Sequence, residues 1–116
     1  MASGTLIRNS VLLWENPSPS SEFTAQYVTI NASKYTHLLI EATVGTADPN
    51  YTYASLIVKI GDKFCLSTIY NDISRRLGNT SATQIGFDAA SRITTYGQAT
   101  QDNTRCIPTR VYGLTL

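Results

Sequence analysis

Apolar residues recur at every second position along much of this chain. From Thr36 to Val44, the residues Leu38, Ile40, Ala42 and Val44 alternate with His37, Leu39, Glu41 and Thr43. Ala54, Leu56, Val58 and Ile60 repeat the pattern between Thr52 and Ile60. A period of two belongs to a strand with one buried face. The same reading predicts a first strand from Thr5 to Glu15, with Ile7, Val11 and Leu13 on one side and Leu6, Leu12 and Trp14 on the other. Ala25 to Ile30 follows, with Val28 and Ile30 inward, and then Lys63 to Tyr70 with Phe64 and Leu66 in the core. Shorter or weaker strands are predicted over Ile73 to Leu77, Thr83 to Phe87 and Arg92 to Tyr96, and the last strand over Cys106 to Leu116.

Breakers separate these runs. NPSPSS, residues 16 to 21, forbids both helix and ladder, while NASKY and GTADPNY read as a turn and a loop. Gly61-Asp62 stands between two apolar runs and predicts a tight hairpin. Arg75-Arg76 marks an edge strand, because paired charges discourage sheet-to-sheet aggregation. Pro108 fits only an edge, a bulge or a strand start, and Gly113 suggests a bulge that re-aims Tyr112 and Leu114. Eight or nine short strands with almost no helix make an all-β protein. The expected architecture is a single domain over residues 1–116, an antiparallel β-sandwich of about eight strands, with a jelly roll among the arrangements open to it.

Composition agrees. The chain has 116 residues, 42% of them hydrophobic and only 15% charged. Its polar remainder is mostly Thr and Ser, sixteen and eleven of them, and hydroxylated β-branched residues favour strands. A net charge of +1 gives no field to gather nucleic acid or anionic lipid, and no basic run supplies one locally. The opening MASGTLIRNS lacks the cationic and apolar regions of a signal peptide, and no stretch approaches the ~18 apolar residues of a membrane span. Cys65 and Cys106 match no metal spacing and are expected as two buried free thiols.

Catalytic chemistry finds little to work with. His37, the single histidine, sits in a strand with no nucleophile motif beside it and reads as a half-exposed sheet residue. One histidine also rules out a multi-histidine metal site. The eight carboxylates are scattered, with Asp48 and Asp62 in turns and Glu15, Glu22 and Glu41 far apart. GFDAASRI lacks the glycines and lysine of a phosphate loop. No enzyme activity and no cofactor are expected. Asn50, Tyr51 and Tyr53 form the candidate ligand or partner surface, since exposed tyrosine and asparagine stack on and hydrogen-bond sugars and proteins. The plainer reading makes one tyrosine a cap on the core and the other a strand-face residue. Trp14 likewise reads as a core plug.

Three stretches carry a family resemblance: LLWENPSPSSEFTAQYVTI, ASKYTHLLIEATV, and RRLGNTSATQIGFDAASRI followed by NTRCIPTRVYGLTL. Together they resemble small domains of tailed bacteriophages and prophages, found as short proteins or at the C-termini of tail-fibre and related virion proteins. The resemblance implies a virion structural protein, assembled in the host cytoplasm without export. Its leading role is then a fibre or receptor-binding domain that meets a glycan or protein on the host surface. A capsid-decoration or head-fibre protein that stabilises the particle is the alternative, and a free carbohydrate-binding module a further one. Partners would be other virion proteins and the chain itself, as a homotrimer with its apolar end (Tyr112, Leu114 and Leu116) as the seam.

Overall fold

The computed structural model of the chain describes residues 9–70, 72–93 and 97–116. Nine strands lie within them: β1 (Val11–Glu15), β2 (Gln26–Thr29), β3 (His37–Gly45), β4 (Ala54–Lys59), β5 (Lys63–Tyr70), β6 (Asp72–Thr80), β7 (Gln84–Ile93), β8 (Ala99–Gln101) and β9 (Arg105–Leu114). Residues 5–8 of the first predicted strand and 94–96 of a later one fall outside the described residues. All pairings are antiparallel. One sheet runs β1-β9-β3-β4; the other runs β2-β7-β6-β5, with β8 laid on the far half of β7. Pairing β1 with the last strand and β2 with β7 nests the chain, while β3–β4 is a hairpin and β5–β6–β7 a meander.

The expected β-sandwich is therefore present, and the period of two explains its core. Leu38, Ile40 and Ala42 of β3, Val58 of β4 and Val111 of β9 face Phe64, Leu66, Ile85 and Phe87 of the other sheet. Phe23 follows the proline loop and packs edge-on against Phe87 at 5.4 Å, with Trp14 6.1 Å from each. Trp14 is half-buried against that cluster, so it does plug this end of the core.

Several expectations change. Gly61-Asp62 does not close a hairpin, because β4 and β5 belong to different sheets; it is a corner that crosses the sandwich. Gly61 has φ 104°, a conformation that glycine adopts at no steric cost. Thr80 pins the corner: its hydroxyl accepts from Gly61 N at 2.9 Å and lies 2.9 Å from Asp62 O. The Arg75-Arg76 strand is not an edge. It lengthens to nine residues as β6, between β5 and β7, and alternation sends Arg75 out and Arg76 fully inside. Thr83–Phe87 and Arg92 belong to one continuous β7. Of the two thiols, only Cys106 is buried; Cys65 lies on the exposed face of β5, opposite Leu77.

The apolar end of the chain is explained by β9, an interior strand between β1 and β3. Pro108 is accommodated at a bulge, where the register against β3 shifts beside Ala42. Gly113, by contrast, pairs regularly on both sides, with Val11 and Leu38. It is glycine because a Cβ there would stand 2.6 Å from the Tyr35 ring.

Candidate functional site

The corner at Gly61-Asp62 sets the register between β4 and β5, although the two strands are not paired. Tyr53 lies eight residues before Gly61 and Tyr70 eight after Asp62, so the corner brings the two rings together. Their centroids are 5.9 Å apart in an edge-on arrangement, and Tyr51 lies 6.3 Å from Tyr53. The three rings are 64%, 42% and 49% exposed for Tyr51, Tyr53 and Tyr70. Neither tyrosine of the predicted pair caps the core. Asn50 is exposed in the adjoining turn, where Tyr51 N donates to Asp48 O at 3.3 Å. Tyr53 itself is anchored through its backbone N to Ala42 O at 2.9 Å. The phenol of Tyr53 is pushed above its ordinary value, first by partial desolvation among its neighbours and then by the Asp48 carboxylate. It therefore keeps its proton at physiological pH and is available to donate to a ligand.

The tyrosines form a ridge between two concavities. On one side a pocket of about 280 Å³ is lined by Gly45, Thr46, Asp48, Tyr70, Thr104 and Arg105, among others. On the other, about 340 Å³ opens between the edges of β4 and β5, bounded by Tyr53, Leu56, Cys65 and Ser67. Aromatic faces beside groups that accept and donate hydrogen bonds are what a sugar or a polar peptide requires.

Behind the first pocket the end of the sandwich is cross-linked by charge. Arg92 pairs closely with Asp72, and Arg105 reaches Asp72 and Asp102 at 3.9 Å each. Thr104 donates to the Asp102 carboxylate through both its hydroxyl, at 2.5 Å, and its backbone N–H, at 3.0 Å. Burial works to raise the Asp102 carboxyl, but the Thr104 bonds and the charges of Arg105 and Arg92 outweigh it and hold it below the ordinary value. Deeper still, Arg76 spans from β6 to β9. It donates to Cys106 O at 3.0 Å, Asp88 O at 2.6 Å and Arg105 O at 3.2 Å. Its guanidinium also lies 5.1 Å over the Phe23 ring. Burial lowers its pKa to about 10 and raises the neighbouring Cys106 thiol to about 12. Of these groups only Arg76 and Cys106 are fully buried, and they position the end of the sandwich from inside, whereas Thr104 and Arg105 also face the pocket.

The three residues of the predicted seam separate. Leu114 is buried within its own chain, Tyr112 is half-buried on β9, and Leu116 stays 58% exposed, its N–H donating to Thr36 Oγ1 at 3.0 Å. His37 is half-exposed, as its strand position predicts, and shares a hydrogen bond with Thr36 Oγ1 at 2.7 Å. A further groove of about 410 Å³ runs along Trp14, Glu22 and Tyr27, but Asn16 there spends its side chain on Ser18 N and Pro108 O. No group of three or more His, Cys, Asp or Glu side chains could hold a metal among the described residues.

Tyr70 is the member of the site that sequence reasoning missed. Its signal was the corner itself, since positions equidistant from a sharp reversal meet. Comparison with known protein families, curated proteins and solved structures finds no match to this chain.

Proposed function

We propose that the domain is a non-enzymatic recognition module of a bacteriophage particle, offering the ridge of Tyr51, Tyr53 and Tyr70 to a glycan on the host surface. The observation that carries this reading is the contact among three exposed tyrosine rings at one end of a rigid sandwich, flanked by Asn50 and Asp48. Sugars lay their C–H faces on such rings while their hydroxyls bond carboxylates and amides at the rim. The virion setting is supported by the sequence resemblance to fibre-end domains. A non-catalytic role is supported by how the carboxylates are used: Glu15, Glu41, Asp72 and Asp102 all pair with arginines.

The test is an array of bacterial surface polysaccharides probed with the full chain and with a Tyr51→Ala, Tyr53→Ala variant. The wild type is expected to bind a subset of glycans and the variant to lose them. A wild-type protein that binds no glycan on such an array would refute this reading.

A further inference from the structure

The outer face of the β1-β9-β3-β4 sheet carries an unbroken apolar row. Ile57 of β4 is paired with Leu39 of β3, Leu39 with Tyr112 of β9, and Tyr112 with Leu12 of β1. Paired residues share a face, so the four side chains stand side by side across roughly 14 Å of sheet. The core residues Leu38, Ile40, Val58 and Val111 occupy the opposite face. Ile57 and Leu12, at the two ends of the row, are 46% and 49% exposed, and Leu39 and Tyr112 are half-buried between them. An antiparallel sheet with one face in water normally carries polar side chains there. A contiguous apolar stripe rimmed by charge marks a contact surface instead.

The rims tell what it contacts. On one side of the row lie Ser55, Glu41, Arg110 and Glu15, successive partners across the same four strands. Arg110 bridges both glutamates, at 3.1 Å to Glu15 and 3.4 Å to Glu41, which leaves this rim with a net negative charge. On the other side lie Lys59 and His37, paired with each other. Lys59 makes no ion pair among the described residues. An acidic rim, an apolar row and a basic rim, in that order, are complementary to the same face turned over.

We propose that this face is the contact between two copies of the chain, packed sheet on sheet about a two-fold axis running along the apolar row. Such an isologous contact lays each row on its counterpart. It sets Glu41 opposite the partner's His37, and Ser55 opposite the partner's Lys59, which thereby comes within reach of the acidic rim. Of the three residues at the apolar chain end, only Tyr112 takes part. The contact meets the tyrosine site only at Ser55, which borders the pocket beside Tyr53, and it does not depend on the glycan reading.

Sedimentation of the full chain across a dilution series, alongside Ile57→Lys, Leu12→Glu, Lys59→Glu and the control Ile69→Lys, decides the matter. Ile69 is 75% exposed on the other sheet. The wild type and Ile69→Lys are expected to be dimers. Ile57→Lys and Leu12→Glu should each weaken the dimer more than tenfold while keeping the wild-type circular dichroism and a cooperative melt, and Lys59→Glu should weaken it measurably. A monomeric wild type, a trimer, or a dimer insensitive to Ile57→Lys and Leu12→Glu would each overturn the proposal. Dissociation by Ile69→Lys would move the contact to the other sheet, and an unaffected Lys59→Glu would reject the stated axis. If one row variant fails to fold, the other still decides.

Discussion

Arg76 is a cation inside the sandwich whose polar partners are backbone carbonyls, and its replacement separates two contributions to stability. Lowering its pKa from the ordinary arginine value to about 10 means that folding destabilises the charged form by roughly 3 kcal/mol, at 1.36 kcal/mol per unit. That cost is present in full below about pH 10 and is relieved as pH rises from there towards the ordinary arginine value, so near neutrality it is constant. Against it stand three hydrogen bonds to the carbonyls of Cys106, Asp88 and Arg105. Leaving those acceptors without a donor costs about 1 kcal/mol or more each. Arg76→Met removes both the cost and the bonds while its stem still fills the space, so its stability should lie within about 1 kcal/mol of wild type. Arg76→Ala makes the same polar change and also empties the space of the stem, at about 0.8 kcal/mol per methylene plus a cavity contribution. It should fall about 3 kcal/mol below wild type, a drop of roughly 10 °C in melting temperature at this chain length. Urea denaturation followed by the fluorescence of Trp14, the single tryptophan, measures both variants. A methionine variant as unstable as the alanine variant would refute the reasoning, because it would mean that the carbonyl bonds far outweigh the cost of burying the charge.

Other outcomes follow from the same geometry. Gly78→Ala should destabilise the fold by more than about 2 kcal/mol, since a Cβ there would overlap the Phe64 ring and lie 2.5 Å from Gly86 O; a thermal melt checks it. A thiol reagent on the native protein should modify Cys65 alone and reach Cys106 only after denaturant is added, because Cys106 is buried with its thiol raised to about 12. Counting modified thiols by mass spectrometry distinguishes the two states. The Asp102 carboxyl is depressed in the folded state, so it contributes stability above its unfolded value near pH 4 that is lost as the pH falls through the folded one. Asp102→Asn should therefore flatten the acid limb of a stability-against-pH curve, and an unchanged slope would contradict the assignment. Tyr70→Ala should weaken glycan binding while leaving the melting temperature within about 2 °C, since half its ring is already in water.

The strands that were easiest to read were those whose two faces differ most. β5 alternates between buried and exposed because one face meets the core and the other water, and β3 alternates in the same sense from His37 to Ala42, so the sequence alone places both. The β6 region misleads because its inward positions are Ser74, Arg76, Gly78 and Thr80 rather than aliphatic residues. A basic, glycine-containing stretch looks like a sheet edge unless it is known that β9 presents carbonyls to an inward guanidinium. Those carbonyls come from 29 and 30 residues away along the chain. The corner was hidden for a related reason. A two-residue reversal containing glycine fits a hairpin and a sheet crossing equally, and only the pairing of β4 with β3 and β5 with β6 decides. For the site, Tyr51 and Tyr53 were legible from loop position, whereas Tyr70 required the fold to bring a second strand end to the same place.

The position of β9 has a consequence for how the chain is made. Synthesis runs from the N-terminus, and the strand that joins β1 to β3 is the last of the nine to emerge. Before it does, the nascent chain can form the β3–β4 hairpin and the β5–β6–β7 meander, but β1 has no neighbour and Leu38, Ile40 and Phe87 lack their cover from Ile107 and Val111. Arg76, too, must wait for two of its three carbonyls. Loop closure over such separations is slow and leaves apolar surface open meanwhile. A ribosome stalled before Arg105 should therefore hold a protease-sensitive chain that becomes resistant in one step once β9 clears the exit, rather than gaining protection strand by strand.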